Sequence, residues 1–355
     1  MSRIYLDWNA TAPLRPEART AMIEACDLVG NPSSVHAEGR AAKMALERAR
    51  EAVATALGAE AAEIVFTSGA TEAAALVLGG RGLACAAIEH DAVRAWCDAS
   101  LPVDAAGRVT VPDPARAALQ AANSETGVLQ PLPAGLAASD LTQLFGKLPF
   151  AFDWSGIEAG FVSAHKLGGP KGIGALILRP GVEIETRIRG GGQERGRRAG
   201  TENLIGIAGF AAAATAAQRD LAAGMADKLS EMRNRLQSGL EDAAEDVTFP
   251  GRDTERLPNT LCIVTPGWAG ETQVMQMDLE GFAVSAGSAC SSGKVRPSGV
   301  LRAMGVAEAD ATCAIRVSIG PTTRDEDVER FAAAWLRAHA RWRQRRESRV
   351  VPAGG

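Results

Sequence analysis

The chain has 355 residues, 46% of them hydrophobic, and a formal net charge of −4, which leaves room for two domains or for one large α/β domain with an appendage. Neither charge nor composition favours nucleic acid or an anionic membrane as a partner, and no window approaches the length of a bilayer span. Six cysteines with no C-x-x-C pair indicate neither a zinc ribbon nor a disulfide framework, and the N-terminus MSRIYLDWNATAP has no apolar signal region, so a reducing cytoplasmic compartment is expected.

The composition predicts a helix over Ala37–Leu57, stopped by Gly58. EIVFTSGATEAAALVLGG reads as a short apolar strand, a turn, and a helix from about Thr71. LACAAIEH is a second strand-like run ending at His90. LPFAFDWSG is a third, ending at Asp153, FVSAHK a fourth, ending at Lys166, and GIGALIL a fifth. Residues 202–245 read as a pair of helices or one long bent one. Strands alternating with helices predict a mainly parallel sheet. NTLCIVTPG, GFAVSAG and AIRVSIGP, with a final helix over DEDVERFAAAWLRAH, predict a smaller α+β unit, and the tail RESRVVPAGG is expected to fray.

Chemistry-bearing residues fall at the C-terminal ends of several of these strands, where open α/β sheets place their sites. Lys166, followed by paired glycines, is placed to lose solvation and form a Schiff base with a carbonyl cofactor; read alone, it is an ordinary surface lysine. Ser163 and His165 beside it are candidate phosphate donors. In TSGATEAA, the small residues Gly69, Ala70 and Thr71 at a helix start make a phosphate cradle or a plain N-cap. Asp153 and His90 are candidates to pair with a protonated ring nitrogen and to stack on a ring, against the alternatives of a helix cap and a hydrogen-bonded half-buried histidine. RGGGQERGRRAGTEN, with Arg195, Arg197 and Arg198, reads as a binder of phosphate or nucleic acid, a mobile basic loop, or a loop that completes a neighbouring subunit's site; so short a stretch in a mildly acidic chain is weak ground for nucleic acid. Cys290 lies in SAGSACSSGKVRPSG, a run with almost nothing bulky to pack. Together these are the parts needed to hold pyridoxal phosphate, and no metal-ligand spacing competes.

With NPSSVHAEGR, FTSGATEA, SAHKLGGPKGIGAL, GGGQERGRRAGTEN and SAGSACSSG in that order, the chain resembles the cysteine desulfurases, a branch of the class V aminotransferase superfamily of pyridoxal-phosphate enzymes. The resemblance runs from YLDWNATAP almost to TTRDEDVERF. It implies the fold type I transferase architecture: a large cofactor-binding domain over residues 15–225 with a mainly parallel seven-stranded sheet, and a smaller α+β domain from residues 1–14 and 226–355 that carries the cysteine loop. It implies that Lys166 holds pyridoxal 5'-phosphate, that Gly69, Ala70, Thr71, Ser163 and His165 bind its phosphate with Thr201 from the partner subunit, and that His90 stacks on the ring and moves protons. Asp153 would pair with the ring nitrogen, Asn123 and Arg316 would receive the substrate carboxylate, and Cys290 would accept the sulfur.

The implied activity converts L-cysteine to L-alanine and hands a persulfide on Cys290 to an acceptor protein for iron–sulfur cluster assembly or tRNA thiolation. A homodimer is implied, with no metal, no membrane and no direct nucleic-acid partner. The alternatives within the class are a selenocysteine or cysteine-sulfinate lyase or another class V aminotransferase; outside it stands a non-catalytic relic. The family usually has a glutamine three positions after the ring-pairing aspartate, where this reading finds Gly156. The segments from Thr71 to His90, from His90 to Asn123 and from Asp153 to Ser163 also read as shortened.

Overall fold

The structure is a computed structural model that describes residues 3–287 and 297–350, the side chains of residues 349 and 350 excepted. The chain opens with a short strand β1 (Ile4–Tyr5) and α1 (Pro16–Cys26), whose proline occupies the first turn, where no N–H is needed. Helix α2 (Ala37–Leu57) is where the sequence predicts it. Its first turn is capped by His36, which accepts from the Gly39 N–H at 3.3 Å, and Gly58 ends it in the left-handed region at φ 57°. Strand β2 (Glu63–Thr67) leads through Ser68–Gly69 into α3 (Ala70–Leu78).

The expected strand over 83–90 contracts to β3 (Ala84–Ala86), followed by one turn of helix α4 (Asp91–Arg94) and β4 (Asp98–Leu101). Two further strands, β5 (Ala118–Gln120) and β6 (Ala138–Asp140), are only three residues each. No periodicity can announce so short an element. The expected strand ending at Asp153 is instead a helical turn, α5 (Phe152–Ser155): Phe152 is fully buried, and Gly156 closes the turn at φ 76°. Strands β7 (Ala159–Ser163) and β8 (Gly174–Leu178) follow, then α6 (Leu204–Ala222) and α7 (Met225–Ala243), broken at Gly224 with φ 83°.

Strands β2, β8, β7, β6 and β5 form one sheet in that order, parallel across β5–β6–β7, with β8 antiparallel to both its neighbours. The parallel pair β3–β4 joins its edge through an Ala84–Ala117 bridge, which makes seven strands side by side. Every residue of β7 and β8 is buried, as expected for strands covered on both faces. Helices α2 and α6 cover one side around Leu46, Val53 and Phe210; α3 covers the other around Ala74 and Val77.

The C-terminal part contributes β9 (Thr260–Val264), α8 (Gly270–Leu279), β10 (Phe282–Ala283), β11 (Ser285–Ala286), α9 (Gly299–Ala303), α10 (Glu308–Ala311), β12 (Ala314–Ser318) and α11 (Asp325–Val350). The last helix runs beyond its predicted end, through the first five of the ten residues of the tail expected to fray. Strands β11, β12 and β9 form an antiparallel sheet, and β1 pairs in parallel with β10, so the N-terminus belongs to this region. Residues alternate along these strands. Leu261, Ile263, Ile315 and Val317 face a second core around Trp268, Phe331 and Trp335, whereas Cys262, Val264 and Ala314 face the first. The same alternation turns Arg316 and Ser318 toward the first core.

Gly174 opens β8 where the sheet meets α3. A Cβ there would lie 2.5 Å from the Val162 carbonyl oxygen and 2.7 Å from the Gly69 Cα. Both obstacles are backbone, so Gly174→Ala is expected to destabilise the fold by about 1–3 kcal/mol, read as a lower denaturation midpoint; an unchanged midpoint would show that the Gly69 turn has room to move.

Candidate active site

The ends of β5, β6 and β7 and the start of α3 open into a cavity of about 710 Å³. Lys166 enters it from the turn that follows β7, where its Nζ donates to the carbonyls of Asn9 at 2.7 Å and Ala10 at 2.9 Å. Burial, with help from the Arg316 charge, pushes its pKa down to about 8; Asp140 and Asp7 act against the shift. At that value roughly a tenth of the amine is neutral at pH 7, about two to three hundred times the fraction for an ordinary lysine. His165 meets Thr11 Oγ1 through Nδ1 at 3.1 Å. Burial and the nearby Lys166 and Lys171 push it down to about 4, so its ring is neutral at pH 7.

Gly69, Ala70, Thr71, Ser163 and His165 line the same cavity. The first N–H groups of α3 have no acceptor inside the helix, and its N-cap, Gly69, offers no side chain to cap them. The Ser68 N–H is held by Glu72 Oε2 at 2.7 Å, and Glu72 is fixed by Arg198 Nε at 2.9 Å. In the same basic loop Glu194 is buried, paired with Arg50 Nη1 at 2.7 Å and accepting the Phe66 N–H at 2.9 Å. This loop is therefore latched to the sheet, not freely mobile. Thr201 lies outside the first cavity, lining a smaller one of about 200 Å³ that shares Ser68 and Gly172 with it.

His90 lines the cavity as the N-cap of α4. Its Nδ1 accepts from the Ala92 N–H at 3.1 Å, which places the proton of the neutral ring on Nε2. Asp153 does not join it. Its Oδ2 accepts from the Ala61 N–H at 3.0 Å, so it closes a turn after α2, and it is not among the cavity residues. The aspartate that does line the cavity is Asp140, the last residue of β6, with Gln143 three positions on. Burial pushes the Asp140 carboxyl up, opposed by the Thr142 N–H, which donates to it at 2.8 Å, and by His90 and Lys166. Gln143 stands three positions after Asp140, the spacing the resemblance leads one to expect after a ring-pairing aspartate, and Gly156 is the glycine that ends α5.

A buried polar network braces these groups. Gln143 Nε2 donates to the Asn9 carbonyl at 3.0 Å, and Lys147 Nζ donates to Gln143 Oε1 at 2.5 Å and to Asn9 Oδ1 at 2.8 Å. Lys147 is pushed well below the usual lysine range by burial, then by Lys166 and Arg316. Holding Oε1, it fixes which way the Gln143 amide faces.

Asn123 is not a cavity residue: its Oδ1 accepts from the Glu125 N–H, the Thr126 N–H and Thr126 Oγ1, and its Nδ2 donates to the Ile88 carbonyl. It holds a turn that presents Ser124 to the cavity. Arg316 Nη1 donates to the Ser124 carbonyl at 3.1 Å, while Nη2 contacts Asp7 Oδ1 at 2.7 Å and Ser285 Oγ at 3.2 Å. Like Asn123, Arg316 is not a cavity residue: its guanidinium stands behind Ser124, which is, on an internal counter-ion, with Nε unpartnered among the described residues.

Cys290 lies outside the described residues, as do Lys294 and Arg296. The chain on both sides of it converges on Glu125, whose Oε2 accepts from Ser298 Oγ at 2.5 Å and would lie 3.7 Å from a Cβ on Gly287. Among the described residues no group of His, Cys, Asp and Glu could hold a metal ion.

Comparison with known proteins gives the family. The chain is 40% identical to a cysteine desulfurase of Cereibacter sphaeroides over 93% of its own length and 94% of the relative's. It is 37% identical to the cysteine desulfurase IscS of Dictyoglomus turgidum, covering 92% and 91%. A solved NifS-like protein from Rickettsia africae superposes with a TM-score of 0.87 at 30% identity, covering 95% of this chain and 99% of the other. A structure described as SspA in complex with cysteine superposes with a TM-score of 0.73 at 27% identity, covering 90% and 100%. The aminotransferase class-V family model matches residues 4–331, and with a buried lysine, an aspartate and a histidine gathered at the strand ends, the chain belongs to that family.

Proposed function

We propose that this protein is a pyridoxal-phosphate-dependent cysteine desulfurase that passes sulfur, as a persulfide on Cys290, to an acceptor protein. The observation that carries the reading is the meeting of Lys166, Asp140, Gln143 and His90 in one cavity whose other end is a helix start flanked by Ser163 and His165. That donor set fits the cofactor: an amine for its carbonyl carbon, a carboxylate for its ring nitrogen, and N–H and O–H donors for its phosphate. The relatives named as cysteine desulfurases, and the similar structure described with cysteine, support the choice of substrate.

When bound, pyridoxal phosphate supplies an electron sink for the pair left at the substrate Cα. The protein's own groups do the rest. Lys166 would hold the cofactor, and its low pKa gives neutral amine to attack a carbonyl or to take a proton. Asp140, not Asp153, would face the ring nitrogen, and a positive ring beside it would restore the ionised carboxylate that burial disfavours. His90 offers Nε2 as the atom that gives or takes a proton. Neutral His165 and Thr71 would donate to the cofactor's phosphate without adding charge. Arg316 would exchange Asp7 for the substrate carboxylate, with Ser124 beside it.

Thr201, outside its own protomer's cavity, fits a contribution across a two-fold interface, and a homodimer is part of the proposal. The acceptor is a protein of iron–sulfur cluster assembly or tRNA thiolation, and the compartment is the cytoplasm; no described helix is long and apolar enough to cross a membrane.

Lys166→Ala is expected to abolish the visible absorbance band of bound cofactor and to lower alanine formation from cysteine by about 10²–10⁴-fold; a band of normal intensity would remove Lys166 from its role. Asp140→Asn should reduce kcat/KM by about 10²-fold or more, whereas Asp153→Asn should leave turnover unchanged and reach only the turn after α2. The reverse ranking would restore Asp153 as the ring partner. Cys290→Ala should keep the band but yield no protein-bound persulfide, measured by mass spectrometry after incubation with cysteine; a persulfide elsewhere on the chain would overturn the assignment.

A further inference from the structure

Side chains, not strand pairing, dock the segment that brings His90 to the cavity. Strand β3 ends at Ala86, short of the end of β5, so on that edge the Gln120 N–H has no backbone partner. Glu89 supplies one: its Oε1 accepts from the Gln120 N–H at 2.7 Å. The Ile88 carbonyl accepts in turn from Gln120 Nε2 at 3.0 Å and from Asn123 Nδ2 at 3.2 Å. These bonds hold the two residues before His90 against the end of β5. On the opposite edge Gln120 stands in register with Asp140, and the Ala121 N–H donates to the Asp140 carbonyl at 2.9 Å. Consecutive N–H groups of one strand therefore carry the segment of His90 and that of Asp140, and both residues line the cavity.

We propose that Glu89 is a positioning residue for His90, fixing it relative to Asp140 through the Gln120 N–H. The inference deepens the proposed function and rests on it for the part that His90 plays. Glu89 does not line the cavity, so it acts through its neighbour. The link is short: one peptide joins Glu89 to His90, whose Nδ1 accepts from the Ala92 N–H at 3.1 Å. That bond keeps the proton of the neutral ring on Nε2. Were the Ile88–Glu89 peptide to drift from β5, the ring would lose its fixed place over the cavity and the single tautomer that goes with it.

The acceptor works uncharged. Glu89 is 5% exposed, its Oε1 takes a single N–H, and its Oε2 has no partner among the described residues. A buried carboxylate with one neutral donor and no cation paired to it is costly to ionise. Burial pushes its carboxyl well up, Asp140 and Cys85 add to the shift, and the Gln120 N–H opposes it. A carbonyl oxygen without charge is enough to satisfy that N–H. Leaving the N–H buried and unmet would cost more than the bond itself contributes, so the turn before His90 is held where the bond can form.

The test uses the full-length protein as purified, with ¹⁵N in its four histidines. The His90 ring signal is identified by its loss in His90→Gln and read by NMR without cysteine at about pH 8, where an ordinary histidine is neutral. Wild type is expected to show one tautomer, with the proton on Nε2. Glu89→Leu should turn that signal into a mixture of tautomers and lower kcat for alanine formation roughly ten- to a hundredfold, with KM within about twofold. Glu89→Gln, which keeps an uncharged acceptor of the same length, should restore both. Should Glu89→Leu not fold, Glu89→Asp, one methylene shorter, takes its place with the same expectation. An unchanged His90 signal in Glu89→Leu or Glu89→Asp would reduce Glu89 to a structural residue and overturn the proposal. So would a Glu89→Gln protein that behaves like Glu89→Leu, because charge would then do the work. The His90 signal is read without turnover, so its outcome is separate from that of the desulfurase reading.

Discussion

The site hangs on Asn9. Its backbone N–H donates to Ser318 Oγ and its amide donates to Thr260 Oγ1 and the Ser124 carbonyl, while its own carbonyl accepts from Gln143 and Lys166. Its side-chain oxygen accepts from Lys147 and Asn259. One residue, 1% exposed, therefore joins the N-terminal segment, the β9–β12 sheet and the lysine that enters the cavity. A buried amide must have its donors and acceptors met, and a network met on every side allows one arrangement and penalises the others. Asn9 holds both Lys166 and the Ser124 carbonyl, to which Arg316 also donates.

Charge follows from the same packing. The chain is mildly acidic overall, yet Lys166, Lys171 and the Arg316 guanidinium stand at or beside one cavity, answered by Asp140 and Asp7. A local excess of cations in a site walled by protein favours an anionic guest. It also lowers the cost of a neutral lysine, because each amine that gives up its proton relieves repulsion with the rest. The low values of Lys166, Lys147 and His165 are one effect felt at several atoms, with burial its first cause in each.

Much of this was legible from residue order. Lys166, His90, Ser163, His165 and the Gly69–Thr71 turn follow strands or open a helix, and local composition marks such places. The error at Asp153 is equally physical. LPFAFDWSG has the apolar density of a strand, but Phe152 finds its burial from a helical turn, whereas the strand that brings an aspartate to the cavity, Ala138–Asp140, is three residues deep in a sheet and needs no long apolar run. Asn123 is placed in a turn, where its Oδ1 accepts three bonds that no pattern in the sequence announces. The bonds of Asn9 and Lys147 reach across the whole chain, and no pattern in sequence encodes them.

The reversed direction of β8 has a consequence for the order of assembly. Because β8 runs back beside β7, the turn holding Lys166 closes a hairpin between Ser163 and Gly174, whereas the bond from Asn9 to Ser318 spans 309 residues. Loop-closure entropy grows with the logarithm of length, so the longer connection costs about 3 kcal/mol more in chain freedom before any contact offsets it. The lysine's turn is a local structure that forms early and cheaply; the polar clamp that sets its aim closes last, when both ends of the chain have arrived. A nascent chain thus carries the reactive amine well before it carries the geometry that makes the amine selective.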